Sequence, residues 1–278
     1  MRKVIYIAFG ILFFMSCEDV VDIDVPEGEP KLVIDASLEF VTQTDGSLRL
    51  ENEEIKLTMS APFFDENTPT VSDATIYITN LTFDFIYNFD ELSFEPGTYI
   101  PSNGSFLWDF ESDYELTVIH NNETYKATTK IIPSVPIDNV IQGDGTLFEG
   151  NEIEIEVSFT DDGNRDDFYL FDFDFSLFLP SEDRFYQGKS FKFSYFYENP
   201  EEVEGREITI KILGIDQRYF NYSSILIEQS EQDGGNPFQA PPAVLRGNII
   251  NTTNSDNYPL GYFNLSETYS FPFTIQKK

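Results

Sequence analysis

One cysteine, Cys17, and one histidine, His120, are all that this 278-residue chain has of the side chains that most often bind zinc or drive nucleophilic catalysis. A lone cysteine excludes internal disulfides. Zinc sites built on histidine or cysteine are excluded by count, and every Ser–His–Asp triad would hang on His120 alone. That histidine ends a strand-like run beside Asn121-Asn122, and the chain has no Gly-x-Ser-x-Gly nucleophile turn for it to serve. Positive charge is scarce too, at 17 basic residues against 49 acidic. A phosphate polymer would be repelled, so nucleic acid is not an expected partner. Charge-driven binding to anionic lipid is excluded for the same reason. Long apolar runs are missing as well. The run from Val4 to Met15 has 12 residues, and a spanning helix needs about 20.

What is present begins at that short run. Arg2 and Lys3 precede it, and Ser16 and Cys17 follow it. A positive start, a short apolar middle and a small residue at the cut make residues 1–16 a secretory signal peptide. A cysteine directly after the cut resembles a bacterial lipobox, in which the thiol is acylated and becomes the membrane anchor. Phe14-Met15-Ser16 stands where Leu-Ala-Gly is usual. Glu18, Asp19 and Asp22 make the next stretch acidic. This resembles the signal that sends lipoproteins of the Bacteroidota to the outer face of the outer membrane. Residues 17–30, with Pro26, Gly28 and Pro30, then read as a lipidated acidic tether. Removal of residues 1–16 leaves 262 residues, enough for one large or two ordinary domains.

The remainder reads as mainly β. Glu54–Met59, Ala74–Thr79, Tyr114–His120 and Ile153–Phe159 alternate apolar and polar residues, with turn residues between them. Tyr169, Phe171, Phe173, Phe175 and Leu177 would line one face of a single long strand. Phe191–Tyr197, Ile208–Ile212, Val244–Ile249 and Leu260–Leu265 read as further strands. Pro133 and Pro136 cannot sit in a central strand. They divide the chain into an N-terminal sandwich-like part, 31–133, and a C-terminal β-rich part, 134–278. Both are expected to be immunoglobulin- or fibronectin-like. One helix interrupts the pattern near 216–232. Asp216 caps it, Tyr219, Tyr222 and Leu226 form its buried stripe, and Gly234-Gly235 ends it.

Three constellations could carry chemistry. Asp162, Asn164 and Asp166 stand at alternate positions, which suits oxygen ligation of calcium. Against this, Asp167 stands where an EF-hand has Gly, and Phe173 where it has Glu. A solvated hairpin turn is the commoner use of such a stretch. Paired carboxylates could hydrolyse a glycoside, but with 49 acidic residues such pairs arise by chance. The aromatic faces 168–178 and 191–197 could stack on sugar rings, although strand core is their commoner use. No cofactor is expected beyond that calcium candidate, and no catalytic residue is assigned.

Five pieces taken in order resemble a known family. They are Cys17 with its acidic follower; Leu32-Val33-Ile34-Asp35; Ser60-Ala61-Pro62-Phe63-Phe64 with Val71-Ser72-Asp73-Ala74; Pro96-Gly97-Thr98-Tyr99; and Arg246-Gly247-Asn248-Ile249 with Pro259-Leu260-Gly261-Tyr262-Phe263. The set is similar to the Bacteroidota lipoproteins catalogued as domain of unknown function 4249. The resemblance implies an outer-membrane lipoprotein, often encoded beside a TonB-dependent receptor, and implies no defined reaction. The expectation is a non-enzymatic accessory or ligand-binding subunit of a nutrient-uptake complex. A stand-alone adhesin or ligand-binding module is the alternative, and a carboxylate-based surface hydrolase the third. The aromatic loops around Phe83–Phe94 and Phe185–Tyr197 are the expected centres of a partner interface.

Overall fold

Alternating apolar and polar side chains give a strand one dry and one wet face. The computed structural model, which describes residues 28–62, 65, 67–102, 107–147, 150–230 and 244–277, is built largely from such strands. In chain order they are Leu32–Thr42 (β1), Leu48–Asn52 (β2), Ile55–Met59 (β3), Thr75–Asn80 (β4), Phe85–Glu91 (β5), Thr98–Pro101 (β6), Tyr114–His120 (β7), Glu123–Thr129 (β8) and Ile131–Ile132 (β9). Then follow Ile137–Gln142 (β10), Ile153–Thr160 (β11), Phe168–Asp172 (β12), Phe178–Glu182 (β13), Ser190–Tyr197 (β14), Glu207–Ile215 (β15), Ile250–Asn251 (β16) and Leu260–Thr274 (β17). Two helices interrupt them, Pro200–Val203 (α1) and Gln217–Ser230 (α2). The fold is mainly β with sandwich-like packing and one substantial helix. Cys17, Glu18, Asp19 and Asp22 lie outside the described residues.

One sheet runs β13-β12-β15-β17-β1-β3-β6-β5-β4-β7-β8-β16, with β2 added beside β1 and β9 beside β17. A second sheet, β10-β11-β14, packs against β12, β15 and β17. Two cores result. The first gathers Ile34, Leu38, Phe40, Leu57, Ile78, Leu116 and the single tryptophan, Trp108. Trp108 meets Phe40, Tyr87 and Tyr114 at ring distances of 4.9, 4.5 and 5.1 Å. The second gathers Ile153, Ile155, Val157 and Phe159 from β11, with Tyr169, Phe171 and Phe173 opposite. Here the aromatic strands serve as core: Phe173 stacks on Tyr195 at 3.8 Å, and Phe171 meets Phe193 edge-on at 4.9 Å.

The chain passes from the first core at Ile131 to the second at Val135, across Pro133. The last strand then returns across this division. Residues 260–267 of β17 pair parallel with β1, and residues 268–274 pair antiparallel with β15. Phe263 and Leu265 therefore complete the first core, while Tyr269, Phe271 and Phe273 pack on the second. These five residues alternate along one strand, so both cores lie on one face of the long sheet.

Three expectations from sequence need correction. The run Tyr169–Leu177 is not one strand. β12 ends at Asp172, and Asp174, Phe175 and Ser176 all take positive φ. Asp172 Oδ1 accepts the Asp174 N–H at 2.8 Å, and the Phe173 N–H reaches the Leu177 carbonyl at 2.8 Å. This aspartate turn chemistry folds the run into a hairpin and leaves Phe175 and Leu177 exposed at its tip. Val244–Ile249 is not a strand either; only Ile250 and Asn251 pair, with β8. Asn248 explains why, because its side chain occupies the ladder. Its Nδ2 donates to the Phe263 carbonyl at 2.7 Å, and its Oδ1 accepts the Phe263 N–H at 2.9 Å. Finally, Leu226 is 47% exposed. The face of α2 that packs carries Tyr219, Phe220, Ser223 and Ile227 instead.

Candidate functional site

On the face of the long sheet opposite the two cores, α2 lies over β12, β13 and Tyr262 of β17. Asp216 starts this helix as expected, its Oδ1 accepting the Tyr219 N–H at 2.6 Å. Phe220 packs on Phe168 at a ring distance of 5.3 Å, and Ile227 joins Leu170, Leu213 and Ile215 in a third small core. The helix does not close fully on the sheet. Between them lies a cavity of 780 Å³, within the range of small-ligand pockets.

Its floor comes from the odd-numbered residues of β1, namely Val33, Asp35, Ser37 and Glu39, whose even-numbered neighbours fill the first core. Leu260 and Tyr262 of β17 continue the floor, and Leu170, Asp172 and Leu213 form a side wall. Tyr219, Tyr222 and Leu226 hang from the helix above. Three tyrosines meet there. Tyr262 lies 4.7 Å from Tyr219 and 4.9 Å from Tyr222, and those two rings stack at 6.1 Å. The hydroxyls of Ser37 and Tyr219 are 3.5 Å apart. Tyr262 is 4% exposed, and its hydroxyl has no hydrogen-bond partner among the described residues.

Carboxylates supply the charge. Lys211 Nζ lies 3.1 Å from both oxygens of Glu39 and 4.0 Å from Asp172. Burial raises the Asp172 carboxyl above its ordinary value, against the pull of Lys211 and the Asp174 N–H. Asp35 keeps an exposed surface, but protein crowds it on the cavity side. This desolvation raises its carboxyl too, against the hydrogen bonds of Ser37 and the charge of Lys56. Burial likewise lifts the phenols: Tyr219 to about 12, and Tyr222 and Tyr262 also upward.

The calcium candidate falls elsewhere. Asp162, Asn164 and Asp166 lie on a solvated turn after β11. There Asp162 Oδ1 is taken by the backbone N–H and side-chain amide of Asn164, at 3.1 and 2.8 Å. The residues flanking the turn point inward instead. Asp161, Asp167 and Asp183 are buried, and one ligand atom from each falls within 4.8 Å of the others. Protein donors already occupy them. Tyr169 donates its single hydroxyl proton between Asp161 (2.7 Å) and Asp167 (3.0 Å), the Gly188 N–H reaches Asp161, and Arg165 Nε reaches Asp167 at 2.6 Å. The Asp167 N–H in turn reaches Asp183 at 2.6 Å. The arrangement works as a knot that fixes this end of the second core. Alternation would have found Asp161, two residues beyond buried Phe159, and Asp167, two before buried Tyr169.

This knot makes stability depend on pH. Burial raises the folded-state carboxyls of Asp167 and Asp183 above the ordinary 3.8. The folded chain therefore binds protons more tightly than the unfolded one. Stability is lost as pH rises from near 4 through the raised values, and gained on acidification. Asp183→Asn keeps an acceptor for the Asp167 N–H and removes one charge. It should raise the urea midpoint at neutral pH and leave it nearly unchanged at about pH 4. An equal shift at both values would place the effect outside this titration.

His120 ends β7, where its Nε2 lies 2.9 Å from the Asn121 amide, and it takes no part in the cavity. Tyr222 and Leu226 were expected as buried helix stripe and instead line the cavity. Asp35 closes the Leu32-Val33-Ile34-Asp35 piece of the family resemblance but drew no role from it, and Glu39, Asp172 and Lys211 were not singled out from sequence. They share the plain polar face of strands whose other face is core.

A family model described as Domain of unknown function (DUF4249) matches residues 18–271. No curated protein matches the chain.

Proposed function

Since the chain belongs to the DUF4249 family, a family without assigned function, we propose that it is a lipid-anchored, surface-exposed outer-membrane lipoprotein of the Bacteroidota. In this reading it binds a small ligand and serves, without enzymatic activity of its own, as an accessory subunit of a TonB-dependent uptake complex. The observation that carries the binding role is the 780 Å³ cavity under α2, with apolar walls and a few convergent polar groups. Cys17 supports the anchor, and Glu18, Asp19 and Asp22 support the surface address. Among the described residues no helix is long and apolar enough to cross a membrane.

A partner surface is favoured by a separate observation. Leu81, Phe83, Phe85 and Ile86 form an exposed apolar tip on the β4–β5 hairpin, with Phe83 59% exposed. Such a patch is a candidate interface centre. Phe94 and Phe185 are each 79% exposed, whereas Phe191, Phe193 and Tyr195 are spent on the second core. The strand directions place the hairpin tip at the end of the sheet away from Leu32, where β1 begins. A tether before Leu32 would thus hold the tip away from the membrane.

Two outcomes test this reading. Cys17→Ala should release the protein from the outer membrane or leave it uncleaved; a mature mutant that still fractionates with outer membranes would overturn the anchor. Tagged protein taken from mild-detergent outer membranes should bring down a TonB-dependent receptor, and Phe83→Asp should weaken that capture. If no receptor comes down, and deletion changes adhesion but no uptake, the adhesin reading takes its place.

A further inference from the structure

We infer that the cavity under α2 takes a small organic ammonium ion with an apolar body, and that Asp35 supplies its counter-charge. The inference rests on the reading of this cavity as a ligand site. Among the described residues the cavity lining includes three carboxylates, Asp35, Glu39 and Asp172, and no lysine, arginine or histidine. Lys211 satisfies two of the three, reaching Glu39 at 3.1 Å and Asp172 at 4.0 Å. Asp35 has no such partner among the described residues. Lys56 stands opposite it on β3 but is held by Glu54 at 3.0 Å and Glu95 at 3.9 Å.

A carboxylate facing a mainly apolar cavity, with its one nearby cation shared with Glu54 and Glu95, gains from a ligand that brings further positive charge. The aromatic side of the cavity suits the same visitor. Tyr219 and Tyr222 both feel the charge of Asp35, and with Tyr262 they form a cluster of π-faces beside it. Phenol rings attract cations through their quadrupole, most strongly where water is excluded. Tyr262 adds a hydroxyl without a partner among the described residues at the cavity floor. An ammonium group offers three donors, enough for Asp35 and a neighbouring oxygen such as that of Ser37. The remaining wall, with Val33, Leu170, Leu213, Leu226 and Leu260, matches an apolar body. An anion would be repelled by the carboxylates of the lining, which outnumber their cations. A neutral alcohol would fit the apolar wall but leave Asp35 as it is.

The test uses three probes of one shape, phenethylammonium, phenethyl alcohol and phenylacetate, titrated calorimetrically into the full mature chain near neutral pH. Phenethylammonium should bind at least about tenfold more tightly than the alcohol, and phenylacetate should not bind measurably. Asp35→Asn, which is isosteric, should bring the ammonium down to the affinity of the alcohol. Leu226→Trp, placed on the exposed roof where folding is not at stake, should weaken both. Equal affinity of ammonium and alcohol, or an ammonium affinity unmoved by Asp35→Asn, would overturn the cation while leaving the cavity as a binding site. Binding untouched by Leu226→Trp would place it elsewhere. If none of the probes binds, the ligand-site reading itself fails.

Discussion

Replacing Gly261 by alanine should destabilise the protein by on the order of 3–5 kcal/mol, with the first core failing before the second. Gly261 sits in β17 at φ +92°, opposite Ile34 of β1. A Cβ there would come within 2.0 Å of the Ile34 carbonyl oxygen and 2.7 Å of its carbon. Both are backbone atoms of a strand filled with core side chains, so neither can swing aside. The close approach continues on the other side, where the Gly261 carbonyl oxygen occupies the space that a Cβ on Gly247 would need. Three backbone segments meet here without room for a methyl group. The parallel β1–β17 ladder that closes the first core depends on that contact. Trp108, buried in the first core and the only tryptophan, reports on this region by fluorescence. In Gly261→Ala its urea midpoint should fall well below that of wild type. Gly46→Ala is the control: Gly46 has φ +83° but open space around it, so only the backbone preference is lost, about 1 kcal/mol. A Gly261→Ala midpoint no lower than that of Gly46→Ala would show that β17 moves aside freely.

Close backbone contacts of the same kind account for several of the short motifs of the sequence. Tyr99 donates its hydroxyl to the Val71 carbonyl and accepts the Ala74 N–H, each at 3.1 Å, which joins two of the pieces. Gly97, at φ +82°, lets β6 approach Leu57 and Thr70. Gly247, Asn248 and Gly261 lock the tail onto β1 and β17. Each is a place where one residue type alone fits, and this leaves a mark in a sequence. The strands were legible for a related reason. Ile153, Ile155, Val157 and Phe159 alternate without a break, and the Asn121-Asn122 pair takes positive φ at both positions to turn β7 into β8. The Asp174–Ser176 turn was hidden because aromatic alternation continues straight through it. The cavity was illegible altogether. Its lining comes from β1, β2, β12, β13, β15, β17, α2 and the segment at Val244 and Leu245, which pairing over some 200 residues brings together; Asp35 closes one of the family pieces, but nothing in that piece marks it as a cavity residue.

A second large effect is expected at Glu267, where the two parts of the fold are joined. Glu267 is buried in β17, at the residue where pairing passes from β1 to β15. Its carboxylate accepts three hydrogen bonds, from the Thr42 hydroxyl at 2.5 Å, the Tyr269 hydroxyl at 3.0 Å and the Ser134 N–H at 2.8 Å. No lysine or arginine is paired with it among the described residues. Thr42 ends β1 of the first part, Ser134 lies in the connection, and Tyr269 packs on the second core. Ser134 extends the network, its hydroxyl donating to the Ile212 carbonyl at 3.1 Å and its carbonyl accepting Arg165 at 3.0 Å. One side chain thereby connects the first strand, the linker and the buried aspartate knot. Glu267→Ala would leave the buried Ser134 N–H and the half-buried Thr42 and Tyr269 hydroxyls without their acceptor, at a cost on the order of 3 kcal/mol after the relief of a buried charge is counted. Glu267→Gln keeps an acceptor and should cost less. The sharper expectation concerns cooperativity. With the joint intact, Trp108 fluorescence and the near-ultraviolet circular dichroism of the tyrosine-rich second core should change together in urea. In Glu267→Ala the two curves should separate, because each core then unfolds without the other. Two curves that shift together by the same amount would show that Glu267 stabilises the fold without joining its parts.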